Sequence, residues 1–159
     1  MLLLRLIDMR WQEEGWVEQC SIVRIARTWI GTPYHHQASC KGVGTDCLGL
    51  VRGVYRELYG MEPEVPPPYS ADWAEASGRE TLLEAAGRHF VATAGDRMGE
   101  GDVIAFRIRR EACAKHLAIL TSTTTMIHAI ETSGTVEVPL SQWWRRRIAA
   151  AFRFPIIVG

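Results

Sequence analysis

The sequence predicts an α+β fold in which N-terminal helices pack on an antiparallel β-sheet of about five strands. Apolar residues recur at helical spacing early in the chain, and short strand-like apolar runs follow later. Helices followed by a run of strands are typical of α+β proteins. The chain has 159 residues, of which 47% are hydrophobic, and this suits one compact domain with its own core.

Two helices are predicted in the first 60 residues. The first covers about 18–30, where five apolar residues share one helix face: Ile22, Ile25, Ala26, Trp29 and Ile30. The second begins at Cys47 and ends at Gly60, because glycine readily adopts the left-handed backbone that closes a helix. The thiol of Cys47 is therefore predicted at the first turn of a helix.

The middle of the chain is predicted to hold little regular structure. Met61 to Tyr69 contains four prolines, which predicts an extended connection. Residues 71–77 and 80–92 have patterns typical of short helices.

Five strands are predicted from position 103 onward. They are Val103–Ile108, His116–Thr121, Thr125–Ile130, Thr135–Val138 and Ile148–Ile157. Ser141 is a suitable N-cap for a short helix through Trp144, between the last two strands.

Charge and cysteine content exclude several classes of protein. The formal net charge is zero, so no bulk field attracts the molecule to nucleic acid. The apolar N-terminus, residues 1–10, is too short to span a bilayer and lacks the order of a signal peptide. We therefore predict synthesis in the cytoplasm, where the four cysteines stay reduced. Packing thiols are the expectation for Cys20 and Cys113.

Cys47 is the candidate nucleophile. The partial positive charge at a helix N-terminus favours the thiolate, which predicts a lowered pKa for Cys47. The free backbone N–H groups there could hold an oxyanion. Composition alone favours a buried structural thiol at this position.

Two histidines could supply the base that such a thiol requires. His116 begins one predicted strand and His128 lies within the next, so adjacent antiparallel strands could bring the imidazoles together. A Cys–His pair with a third polar group that orients the histidine is the arrangement of a cysteine peptidase. The alternative for His128 is a hydrogen-bonded core histidine.

Five segments, in this order, carry a resemblance to a known family. They are Trp29–Tyr34, Asp46–Val51, Gly101-Asp102, His116–Ile119 and Ile127–Ala129. In this combination the sequence resembles the NlpC-type family of papain-like cell-wall peptidases over about residues 18–155. Further segments resemble a short, single-domain branch found among phage and gene-transfer-agent tail genes: Gly31–Ser39, Asp46–Val54, Ala114–His116 and Phe152–Pro155.

The resemblance implies a papain-like core and a role for each matching residue. Cys47 would be the nucleophile, His116 the general base and acid, and His128 the residue that orients His116. Tyr34 matches a tyrosine near the oxyanion site, and Asp46 matches an aspartate that receives the free amine of a stem peptide. The implied reaction is hydrolysis of peptidoglycan stem peptides, often between D-glutamate and a diamino acid, without metal or cofactor.

The same residues have simpler alternatives. Asp46 could be only a favourable charge at a helix N-terminus, and Tyr34 only a packing aromatic. His35 and His36 are expected in a loop or at the rim of the site.

The sequence departs from the family pattern at three places. Leu48 replaces the usual serine after the cysteine, although leucine is common in the phage-type branch. Ala118 replaces a common glycine, and residues 35–39 replace a glycine pair after the tyrosine. The last of these differences, the loop at 35–39, bears on substrate fit and on the bond that is cleaved more than on the cysteine chemistry.

The expected organisation is an N-terminal extension at 1–17, a possible docking arm, followed by a peptidase domain at 18–159. The narrower resemblance predicts phage-like tail or baseplate proteins as partners, and release with the particle. One alternative is a structural component of a tail tip with a vestigial site. Another is a zinc site formed by Cys40, Cys47, His116 and His128, because zinc accepts such ligands.

Residues Trp143 to Arg147 form a run of two tryptophans and three arginines. The run is typical of a helix C-terminus, where the helix dipole interacts favourably with cationic side chains. The alternative is a docking patch.

Overall fold

The structure, a computed structural model, describes residues 19–70 and 78–156. The predicted docking arm at 1–17 and the predicted short helix at 71–77 lie outside the described residues. Within them, the α+β prediction is confirmed, because helices from the first part of the chain pack on an antiparallel sheet formed by the second part.

Two of the described helices cover one face of the sheet. Helix α1 comprises residues 19–27, and helix α2 comprises Cys47–Tyr59. Helix α2 begins and ends where the sequence predicts, since Asp46 caps its N-terminus and Gly60 adopts φ 73° at its C-terminus. Helix α3 is Thr81–His89 and the short helix α4 is Gln142–Arg145. None of the described helices has the length and apolar character that crossing a membrane would require.

The strands form a two-stranded hairpin and a six-stranded sheet. The hairpin pairs β1 (Ser39–Cys40) with β2 (Gly44–Thr45) just before α2. The sheet strands are β3 (Val91–Thr93), β4 (Val103–Phe106), β5 (His116–Leu120), β6 (Thr125–Ile130), β7 (Gly134–Pro139) and β8 (Ile148–Arg153). Their order is β3-β8-β4-β5-β6-β7, and every neighbouring pair is antiparallel.

The two faces of the sheet pack against different elements. Leu117 and Ile119 of β5 belong to the larger hydrophobic cluster, which includes α1 and α2. Ala118 and Leu120 belong to the second cluster, which Trp144 of α4 covers. Alternation along the strand places His116 with the second set, at the end of β5 that lies beside the N-terminus of α2.

Several boundaries differ from the sequence prediction. The helix predicted over 80–92 ends at His89, and Val91–Thr93 is an edge strand instead, because β8 supplies its backbone partners. The strand predicted to reach Ile108 ends at Phe106, beside a register irregularity with β8. The last strand ends at Arg153, where pairing with β3 stops. The ends of these elements are set by backbone partners from distant parts of the chain. A local sequence pattern contains no information about such partners.

Candidate active site

The nucleophile candidate lies at the capped N-terminus of α2. The Asp46 carboxylate accepts the Gly49 N–H through Oδ1 at 2.7 Å, which satisfies one of the free donors of the first turn. Its other oxygen, Oδ2, accepts the Gln37 N–H at 2.8 Å. Asp46 is 3% exposed, so this cap fixes the helix start and leaves Cys47 as the first helical residue.

The Cys47 sulfur lies against the backbone on both sides of His116. Its Sγ is 3.9 Å from the Lys115 carbonyl oxygen, within donor range of a thiol. The Leu117 N–H also points toward the sulfur as a hydrogen-bond donor. The structure therefore brings Cys47 to the start of β5, where the predicted base is located.

The Cys47 thiol is more difficult to ionise than the sequence predicts. Burial, and next the neighbouring Asp46 carboxylate, raise the pKa of Cys47 to about 12. The prediction of a lowered pKa is wrong, because it considered the helix dipole alone. The anionic cap offsets that dipole, and desolvation of the thiolate dominates.

The two predicted histidines are in direct contact. His116 Nε2 and His128 Nδ1 share a hydrogen bond of 3.0 Å, although the residues lie on different strands. His128 is 2% exposed and His116 is half-buried. Because Nε2 of His116 is engaged with His128, its Nδ1 is the ring nitrogen that remains to exchange a proton with a thiol.

An aromatic shell that the sequence does not reveal encloses the histidine pair. Trp144 stacks on His116, with ring centroids 5.3 Å apart and planes inclined by 27°. The same indole meets the edge of His128 at 5.2 Å, and Phe106 lies 6.0 Å from His116. The sequence predicted a short helix at this tryptophan, with a docking patch as the alternative. Its contact with the histidines depends on how α4 packs on the sheet.

This shell keeps the histidine pair uncharged. Burial, and next the proximity of His128, lower the pKa of His116 to about 3. Burial lowers the pKa of His128 to about 4. Together with the raised pKa of Cys47, these values describe a neutral thiol beside a neutral imidazole at physiological pH, and not a thiolate–imidazolium pair.

We expect the alkylation rate of Cys47 by iodoacetamide to rise steadily between about pH 5 and about pH 10, because the reactive thiolate fraction grows with pH when the pKa is raised. Peptide mass spectrometry would follow Cys47, with the exposed Cys40 as an internal reference for reagent access. A rate that stays constant between about pH 5 and about pH 7 would instead indicate a preformed thiolate.

Tyr34 lies beside Thr45, two residues before Cys47. It forms an isolated parallel bridge with Thr45, and the Thr45 N–H donates to the Pro33 carbonyl at 3.0 Å. Burial, and next the neighbouring Cys47 and Asp46 side chains, raise the pKa of Tyr34, so its hydroxyl is protonated and within electrostatic reach of Cys47. A protonated hydroxyl can donate a hydrogen bond to a developing oxyanion.

The proline-rich connection closes over Asp46. The Tyr69 hydroxyl donates to Asp46 Oδ2, the oxygen that also accepts Gln37 N–H. His36 Nε2 lies 2.8 Å from the Tyr69 carbonyl oxygen and its ring meets the tyrosine edge-on at 5.1 Å. Tyr69 was not identified from the sequence. Its hydroxyl is hydrogen-bonded to the Asp46 carboxylate, which the resemblance assigns as the binding group for a substrate amine.

Leu48, one of the departures from the family pattern, lines a cavity beside α2 with a volume of about 230 Å³. The connection contributes Pro63 and Tyr69 to this cavity, and β5 contributes Leu117. A leucine at position 48 therefore gives this wall an apolar surface that a serine would not provide.

The remaining cysteines do not join the site. Cys20 and Cys40 are exposed and Cys113 is partly buried, so the prediction that Cys20 is a packing thiol is wrong. Within residues 19–70 and 78–156, no group of three His, Cys, Asp or Glu side chains converges in a way that could hold a metal ion.

Comparison with known proteins finds one family and several solved structures that match this chain. A model of the NlpC/P60 family matches residues 31–153. The NlpC/P60 domain of peptidoglycan hydrolase SagA superposes with a TM-score of 0.60 at 20% identity, over 86% of this chain and 98% of that one. No curated protein matches the sequence.

Two longer proteins contain the same fold. An NlpC/P60 family protein from Bacillus cereus ATCC 10987 gives a TM-score of 0.63 at 21% identity, over 86% of this chain and 40% of that one. A protein from Staphylococcus aureus subsp. aureus Mu50, similar to a lipoprotein of the NLP/P60 family, gives 0.57 at 21% identity, over 86% and 41%. The chain thus spans about two fifths of these two proteins, and the predicted papain-like core is confirmed.

Proposed function

This chain belongs to the NlpC/P60 family, and we propose that it is a cysteine peptidase that hydrolyses the stem peptides of peptidoglycan. The observation that carries the proposal is the position of the Cys47 sulfur against the backbone that flanks His116, whose ring is hydrogen-bonded to His128. In this proposal Cys47 is the nucleophile, His116 the base and acid, and Tyr34 an oxyanion donor. The first domain boundary, at residue 18, remains a prediction.

Acylation begins with a neutral pair. As the Cys47 sulfur attacks the amide carbon, its proton passes to His116 Nδ1, so charge forms only during the reaction. The carbonyl oxygen becomes an oxyanion that the Cys47 N–H and the Tyr34 hydroxyl stabilise. His116 then protonates the leaving nitrogen, the C–N bond breaks, and a thioester remains.

Deacylation uses the same residues in reverse. His116 accepts a proton from water, the oxygen attacks the thioester carbon, and the C–S bond breaks as the thiol regains its proton. For Nδ1 to act as base, His116 must carry its proton on Nε2 and donate it to His128 Nδ1. His128 therefore selects the reactive tautomer and stabilises the imidazolium that forms transiently.

The proposed bond joins D-glutamate to a diamino acid, as the family resemblance implies. To test it, purified sacculi would be digested and the muropeptides identified by mass spectrometry. We expect a product with a new amine on the diamino acid. Stem peptides that all remain intact would contradict the proposed function and favour the alternative of a tail-tip component with a vestigial site.

Delivery by a phage-like tail is the finer part of the proposal. Its support is the narrower sequence resemblance, which includes Leu48 and the segment Gly31–Ser39. Particles purified from the source cells should contain this chain in the tail fraction, as detected by peptide mass spectrometry. Its absence from such particles would contradict tail delivery and leave the peptidase proposal intact.

Tyr69 governs how Asp46 meets a substrate amine in this proposal. While the Tyr69 hydroxyl holds Oδ2, we expect the enzyme to cleave N-acetylated and free-amine stem peptides at similar rates. Tyr69→Phe removes that donor, so an ammonium group can bind the carboxylate, and kcat/KM for the free-amine peptide should rise by about tenfold. The ratio of kcat/KM for the two peptides is the measurement.

Tyr59→Phe is the matched control for this change. It also removes a tyrosine hydroxyl that donates a hydrogen bond, here to the Pro155 carbonyl at 2.6 Å, outside the described site. The kcat/KM ratio should stay unchanged in Tyr59→Phe. A wild-type enzyme that already prefers the free amine strongly would show that Tyr69 does not shield Asp46.

A further inference from the structure

Positive charge is concentrated in two short segments of an otherwise neutral chain. Residues 107–111 and 145–147 comprise eight positions, and six of the chain's 18 lysine and arginine residues lie there. Glu111 is the single acidic residue within these positions. Since the total charge is zero, this uneven distribution produces a local positive field.

The fold joins the two segments into one surface, here called the arginine surface. The Arg107 N–H donates to the Arg147 carbonyl at 2.8 Å, and the Arg147 Nε–H donates to the Ile108 carbonyl at 3.1 Å. The Arg147 guanidinium also lies over the exposed Trp143 ring, 3.7 Å from its centroid. These contacts hold the segments together, although they lie far apart in sequence.

Three arginines of this surface are available to a partner. Arg109, Arg110 and Arg146 are exposed, and none of them forms an ion pair with another described residue. Arg107 differs, because Glu80 neutralises it. Solvated cations without a partner contribute little to folding, so their clustering points to a role in binding.

The arginine surface adjoins the proposed catalytic residues. Phe106 pairs with His116 across β4 and β5, and Arg107 follows it directly. Trp144, which stacks on His116, immediately precedes the second segment. A polymer bound along the arginine surface would therefore run close to the site.

We propose that the arginine surface binds the carboxylates of the peptidoglycan network outside the bond that is cleaved. This inference rests on the proposed function, which makes peptidoglycan the substrate and a repeating source of carboxylates. Guanidinium groups match a carboxylate with two parallel hydrogen bonds, and several such contacts on one polymer reinforce one another. The surface would retain the protein on polymeric wall while stem peptides reach the site.

Binding can be measured apart from catalysis by co-sedimentation of the Cys47→Ala protein with purified sacculi from which phosphodiester polymers have been stripped. Arg109→Gln/Arg146→Gln should weaken binding by about tenfold at about 0.05 M NaCl, and the difference should shrink at about 0.3 M. The control Arg24→Gln/Arg97→Gln removes the same charge from two other exposed arginines and should bind like its parent. Arg109→Lys/Arg146→Lys should retain most of the affinity, because the charge remains.

Conversion of the wall carboxylates to amides should reduce binding of the parent protein to the level of the Arg109→Gln/Arg146→Gln variant. Equal losses in the two charge-removal variants, or undiminished binding to amidated sacculi, would overturn the proposal. Binding that requires the phosphodiester polymers would also overturn it. Sacculi that are bound in this manner but never cleaved would contradict the proposed peptidase activity alone.

Discussion

Cys47→Ala is expected to abolish release of new amines from sacculi, with a loss of roughly 10³-fold or more in rate. The substitution removes the atom that forms the thioester, and no other described cysteine lies against His116. The folded state should survive, because Cys47 contributes only a partly buried thiol to the core cluster. Amine release and thermal unfolding of the same preparation are the two measurements.

Cys113→Ala is the matched control, because it removes another partly buried thiol that lies outside the site. Its activity should equal that of the wild type. His116→Ala should lose activity to a similar extent as Cys47→Ala, and the double variant should lose little more, because the two residues act as a unit. Full activity in Cys47→Ala would exclude the cysteine mechanism.

Gly49→Ala is expected to cost about 3 kcal/mol of unfolding free energy, through overpacking beside the nucleophile. A Cβ at this position would lie 1.8 Å from the Ala38 carbonyl oxygen and 2.7 Å from Thr45 Oγ1. The backbone before β1 must then move away from α2. That movement disturbs two bonds of the Asp46 cap, from Asp46 N–H to Ala38 and from Gln37 N–H to the carboxylate.

Gly87→Ala is the same substitution in an open helical position. Gly87 lies within α3 and is exposed, and a Cβ added there would meet no neighbouring atom within 4 Å. Alanine there should stabilise the protein by about 0.5–1 kcal/mol, since it restricts the unfolded chain and favours helix. Urea unfolding of both variants should show a lower free energy of unfolding for Gly49→Ala and a higher one for Gly87→Ala. Equal changes in the free energy of unfolding would show that a Cβ at Gly49 does not clash with the Ala38 carbonyl oxygen.

Local patterns were sufficient for the elements that depend on neighbours in sequence. The start of α2 at Cys47 and its end at Gly60 follow from capping chemistry and left-handed glycine, which act within one turn. The core of each strand from Val103 onward follows from short apolar runs. Edge strand β3 could not be predicted, because its backbone partners belong to β8, about 60 residues away.

The sequence by itself determined which residues could carry the chemistry. The candidates chosen from the sequence lie near the N-terminus of α2 in the structure: Cys47, His116, His128 and Tyr34. The tertiary structure alone decided their electrostatic state and their enclosure. Trp144 covers the histidines and Tyr69 covers Asp46. Each of these aromatic residues belongs to a different segment of the chain from the residue that it covers. Desolvation depends on everything that surrounds a group in space, and so the raised pKa of Cys47 could be read only from the packed fold.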